Sequence, residues 1–92
     1  MSEYIEIESE LSDDGEEIFI YTNLRLGDRG SEAYDTLSAM EEGSPLAQTL
    51  APIEGIVQLR IEDMELIIGR DPDVEWTIIV EEVSAALKDF FL

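Results

Sequence analysis

The side chains able to do chemistry in this sequence are carboxylates, 15 Glu and 8 Asp, set against five Lys and Arg and neither cysteine nor histidine. Without thiol or imidazole there is no thiolate nucleophile, no soft metal ligand, no disulfide and no acid–base group that ordinarily titrates near neutrality. What remains is hard-cation binding or paired carboxylate catalysis. Asp71, Asp73, Glu75 and Glu82 fall at positions 1, 3, 5 and 12 of an EF-hand spacing. Position 6, where that loop needs glycine for its sharp turn, is Trp76. These acids read instead as a helix start, where negative charge meets the positive end of the dipole. Asp13, Asp14, Glu16 and Glu17 crowd a turn and read as a solvated run. Paired acid–base catalysis needs one carboxyl isolated in an apolar pocket, and nothing in the sequence isolates one. Lys88 complements the end of a helix, and Gly27-Asp28-Arg29-Gly30 lacks a phosphate-loop pattern. The residues therefore predict no enzyme, no cofactor and no metal site, and a protein that works by binding another protein.

The net charge is −18, spread along the whole chain: residues 1–43 hold 13 acids and 2 Arg, residues 44–92 hold 10 acids and 3 bases. Such a surface repels nucleic acid and anionic lipid, which are bound through Lys and Arg. It suits a basic protein partner, solubility or a saline environment, and composition does not choose among these. Crowding of like charges predicts raised carboxylate pKa values in the folded state. Glu6, Glu8 and Glu10 form an acidic ladder on the outward face of the first strand. The ladder reads as protection of a sheet edge, as a partner contact, or as a phosphate mimic that inhibits a nucleic-acid-binding protein. With no basic region followed by an apolar stretch at the start, and no apolar run approaching 18 residues, the expectation is a soluble, cytoplasmic chain.

Ninety-two residues make one domain. Tyr4 to Leu11 alternates, with Ile5, Ile7 and Leu11 on one face, and predicts a half-buried strand. After the turn Ser12-Asp13-Asp14-Gly15 comes a second strand, Glu17 to Thr22, completing a hairpin. Leu24 to Gly30 is a loop. Ser31 to Asp35 reads as the start of a short helix carrying Ala33, Leu37 and Met40 and ending at Gly43. Ser44 as N-cap and Pro45 at the first helical position begin a second short helix with Leu46, Leu50 and Ile53 on its apolar side. Ile56 to Glu62, with Val57, Leu59 and Ile61 inward, and Met64 to Arg70 predict a second hairpin. Asp71-Pro72-Asp73 initiates a long final helix whose covering face is Trp76, Ile79, Val80, Val83, Leu87 and Phe90. The expected fold is α+β, a two-layer sandwich of an antiparallel four-stranded sheet with helices on one face, in the order β-β-α(α)-β-β-α. Trp76 is expected to lie against the sheet.

From Ser44 onward the sequence resembles the N-terminal domain of Nfu/NifU-type iron–sulfur scaffold proteins. The residues that carry the resemblance are Ser44-Pro45-Leu46-Ala47, then Leu50, Ile53-Glu54-Gly55-Ile56, a hairpin, and Glu75-Trp76 opening an amphipathic helix. Two positions depart from the family's habit: Leu11-Ser12-Asp13-Asp14-Gly15 replaces a Pro/Asn-rich segment, and Ala51 stands where an aromatic is common. The family's cluster-binding Cys-x-x-Cys domain has no counterpart in these residues. The resemblance implies a standalone Nfu N-terminal-like domain over residues 1–92. It further implies an accessory role in iron–sulfur assembly and a partner such as an iron–sulfur carrier.

Overall fold

The computed structural model describes residues 6–26 and 31–91. Tyr4 and Ile5 of the first strand, and Gly27, Asp28 and Gly30 of the first loop, lie outside them. The elements are β1 (Ile7–Leu11), β2 (Glu17–Thr22), β3 (Glu32–Tyr34), α1 (Leu37–Glu41), α2 (Pro45–Leu50), β4 (Ile56–Ile61), β5 (Glu65–Arg70) and α3 (Trp76–Phe91). The sheet is wholly antiparallel, in the order β1-β2-β5-β4-β3.

The architecture is α+β with helices over one face of the sheet, but among the described residues the sheet has five strands, where the sequence predicts four. Glu32-Ala33-Tyr34 pairs with Ile61, Arg60 and Leu59 as an edge strand. In the sequence this segment suggests a helix start because a Ser followed by acids resembles a capping signal. The cap that forms is one turn later: Thr36 Oγ accepts from the Ala39 N–H at 3.1 Å and starts α1. Leu37 is consequently exposed, and Met40 alone in α1 is fully buried.

Register explains which side chains form the core. Directly opposed residues of a sheet share a face, so Ile18 lies with Ile68 and Leu59, and Ile20 with Leu66 and Ile61. These six are buried against Met40, Leu46, Leu50, Ile79, Val83 and Leu87 of the helices. Each contributes on the order of 1.5–3 kcal/mol relative to an exposed position. Ile7 and Leu11 of β1 are half-buried against the same cluster.

Two sequence-based placements change. A bulge in β4 between Ile56 and Gln58 shifts the alternation, so Ile56 is buried and Val57 is 43% exposed instead of inward. In α3, Ile79, Val83 and Leu87 form the buried stripe and Phe91 packs on it, while Phe90 faces out. Trp76, at the first turn of that helix, keeps its expected packing against the core and is half-buried there. Asp71-Pro72-Asp73 forms the turn ahead of the helix: the Asp71 carboxylate accepts from the Asp73 N–H at 2.9 Å, and the Glu75 carbonyl accepts the first helical bonds.

Candidate functional site

The residues that carry the family resemblance build structure first. Ser44 Oγ caps α2 by accepting from the Ala47 N–H at 3.4 Å, Pro45 takes the first helical position, and Leu46 and Ala47 are buried. Gly55 has φ of +100°, and a Cβ there would lie 2.7 Å from Ile79 Cδ1, so glycine is required by both backbone and space. Trp76 opens α3 and packs half-buried against the core cluster.

Ser44, Pro45 and Leu46 also line a cleft of about 630 Å³, together with Phe90 and Phe91. Tyr34 organises it. Its hydroxyl donates to the Glu32 carboxylate and accepts the Ser44 N–H at 3.1 Å, bridging β3 to the start of α2. Gly43 makes this possible, since a Cβ there would overlap the Tyr34 ring. Tyr34 was missed as an anchor because its segment read as helix.

On the far side of the sheet no helix among the described residues covers the strands. Glu8 and Glu10 lie on this open face, directly opposite Tyr21 and Phe19 respectively. Phe19 in turn opposes Ile67, and Tyr21 opposes Glu65. Glu6 precedes β1, with its N–H donating to Asn23 Oδ1 at 3.1 Å. The structure therefore sets two of the three ladder glutamates beside aromatic rings, Tyr21 exposed and Phe19 half-buried. The signal was legible: β2 reads Ile-Phe-Ile-Tyr, apolar on both faces, where an ordinary half-buried strand alternates with polar residues. Partial desolvation, with the Glu65 and Glu10 carboxylates nearby, raises the Tyr21 hydroxyl above its usual pKa, so it stays neutral.

The β1–β2 turn is held by its own side chains. Asp14 Oδ1 accepts from Ser12 Oγ at 2.7 Å and from the Glu16 N–H at 3.0 Å. These bonds lower the Asp14 pKa below its ordinary 3.8, Ser12 contributing most. This is opposite in sign to the rise expected from crowding, because local hydrogen bonds favour the charged form. The turn's stabilisation is thus present above about pH 4 and is lost as pH falls through the lowered pKa of the folded state. Asp14→Asn should melt below the parent at neutral pH, with the gap closing in strong acid. A gap independent of pH would contradict the assignment.

Among the described residues no group of three or more His, Cys, Asp or Glu side chains is placed to hold a metal ion. None of the buried residues is polar or charged. No helix among them is long and apolar enough to cross a membrane.

No protein-family profile matches the chain. Over 49 residues it is 35% identical to "NifU-like protein 4, mitochondrial" of Arabidopsis thaliana, a match covering 53% of this chain and 17% of that protein. The fold is that of a NifU-like protein from Saccharomyces cerevisiae determined by solution NMR. The TM-score is 0.74 at 22% sequence identity, over 92% of this chain and 76% of the other.

Proposed function

We propose, from the premise that this chain is NifU-like in sequence over half its length and in fold over nearly all of it, that it is a non-catalytic protein-interaction module of iron–sulfur cluster assembly. The observation that carries this reading is a NifU-like fold in 92 residues that contain no cysteine and no histidine. Cluster iron is held by thiolates, at times with imidazole, so these residues do not fit a cluster. Carboxylates are hard donors and do not replace thiolates around a sulfide-bridged core. The cluster is then the cargo of a partner that this domain contacts. A non-catalytic role is supported by the burial pattern: every acid among the described residues lies outside the core, and no carboxyl is desolvated in the way paired acid–base catalysis demands.

Anaerobic reconstitution with iron and sulfide tests the first half. The isolated chain should show no cluster absorbance and no stoichiometric iron or sulfide after desalting. Titration calorimetry against a cluster carrier bearing a Cys-x-x-Cys pair tests the second half, with saturable binding expected. A stoichiometric cluster on the isolated chain would sink the reading outright.

A further inference from the structure

We propose that the open face of the sheet, centred on Phe19, Tyr21 and Ile67, is the docking surface, and that its occupant is a basic protein segment pairing Arg or Lys with apolar side chains. This rests on the reading of the chain as a protein-binding module, and not on its tie to iron–sulfur assembly.

Phe19 and Ile67 are directly opposed on neighbouring strands, with Tyr21 one step along the same face and 40% exposed. Phe19 and Ile67 remain only half-buried because no helix among the described residues lies over them. Around this apolar centre stand Glu8 and Glu10 on β1, Glu17 on β2 and Glu65 on β5. Arg60, opposite Ile67 on β4, bounds the acidic part on that side. An apolar centre inside a charged rim is the anatomy of a protein interface. The charge selects the occupant. Nucleic acid and anionic lipid are repelled, and a second copy of a chain carrying −18 is repelled as well. A cationic segment gains from the carboxylates, and its Arg side chains can lie over the Phe19 and Tyr21 rings.

The test titrates two synthetic peptides, one alternating Arg and Leu and one oligoarginine of equal charge, into the isotope-labelled 92-residue chain at physiological ionic strength. Saturable NMR shifts from the Arg–Leu peptide should concentrate at Glu8, Glu10, Phe19, Tyr21, Glu65 and Ile67. The apolar partner residues should make that peptide bind more tightly than oligoarginine. Phe19→Thr with Ile67→Thr, which keeps strand propensity and net charge, should weaken binding about tenfold or more, as loss of central anchors does. Glu8→Gln with Glu10→Gln should weaken it several-fold, whereas Glu81→Gln with Glu82→Gln on α3 removes equal charge and should change it less than about twofold. The second pair keeps the test decisive if the threonine variant fails to fold. Shifts spread evenly over α3 and the sheet, equal losses from both glutamate pairs, or no saturable binding would each overturn the proposal. Carrier binding that leaves these resonances unmoved would also overturn it, while leaving the accessory role standing.

Discussion

Replacing Gly55 with alanine is expected to lower stability by about 2–6 kcal/mol, summing backbone strain at a glycine-type φ and overpacking of a filled core. The φ of +100° lies where side-chain-bearing residues rarely go. The added methyl would meet Ile79 Cδ1 at 2.7 Å, Ile79 Cγ1 at 2.9 Å and Val74 Cγ1 at 2.9 Å. Ile79 is fully buried and has no space to retreat into. The Gly55 carbonyl also accepts the Asp71 N–H at 2.8 Å, so moving this residue disturbs the approach to α3. Urea unfolding should show a lower midpoint at an unchanged slope. A loss below about 0.5 kcal/mol, the range of indifferent surface changes, would contradict the packing.

Arg70→Met should cost about 1.5–3 kcal/mol, the range that hydrogen bonds from a charged group contribute. The Arg70 guanidinium donates from Nη1 to the Gly15 carbonyl at 2.6 Å and from Nε to the Val74 carbonyl at 3.0 Å. One side chain thereby ties the β1–β2 turn to the turn that launches α3. Methionine retains the apolar stem, so the loss reports the head group. Arg70→Lys should recover little of it, since a single ammonium cannot match the fork. In a chain with five bases, removing this one also adds to self-repulsion, and raised salt should narrow part of the gap. Equal melting temperatures for the lysine variant and the parent would refute the clamp.

Both sites illustrate what the sequence discloses. Local patterns were sufficient for the bounds of β2, for the Ser44 cap and Pro45 that start α2, and for the Ile79, Val83 and Leu87 stripe of α3, although not for Phe90. The resemblance read on Ser44 to Ala47, Gly55 and Trp76 holds in fold, although most of those residues act by building the domain. Pattern failed where contacts distant in the chain decide. Glu32-Ala33-Tyr34 is a strand because β4 offers an edge and because the Tyr34 hydroxyl reaches Ser44, neither visible within a short window. Val57 turned outward through a bulge that no residue at that point announces. Arg70 looked like a strand end, and its partners lie 55 residues back and 4 ahead. The open face was readable in the doubly apolar β2. Its pairing with Glu8 and Glu10 needed the register.

On the proposed function, this chain acts on clusters through a partner and does not hold one itself. The most direct measurement follows cluster transfer from a loaded carrier to an apo acceptor, by the acceptor's absorbance, with and without a stoichiometric amount of the chain. The chain is expected to change the transfer rate while iron and sulfide remain with carrier and acceptor. An unchanged rate together with no carrier complex would contradict it for that carrier, and cluster recovered on the chain itself would contradict it altogether.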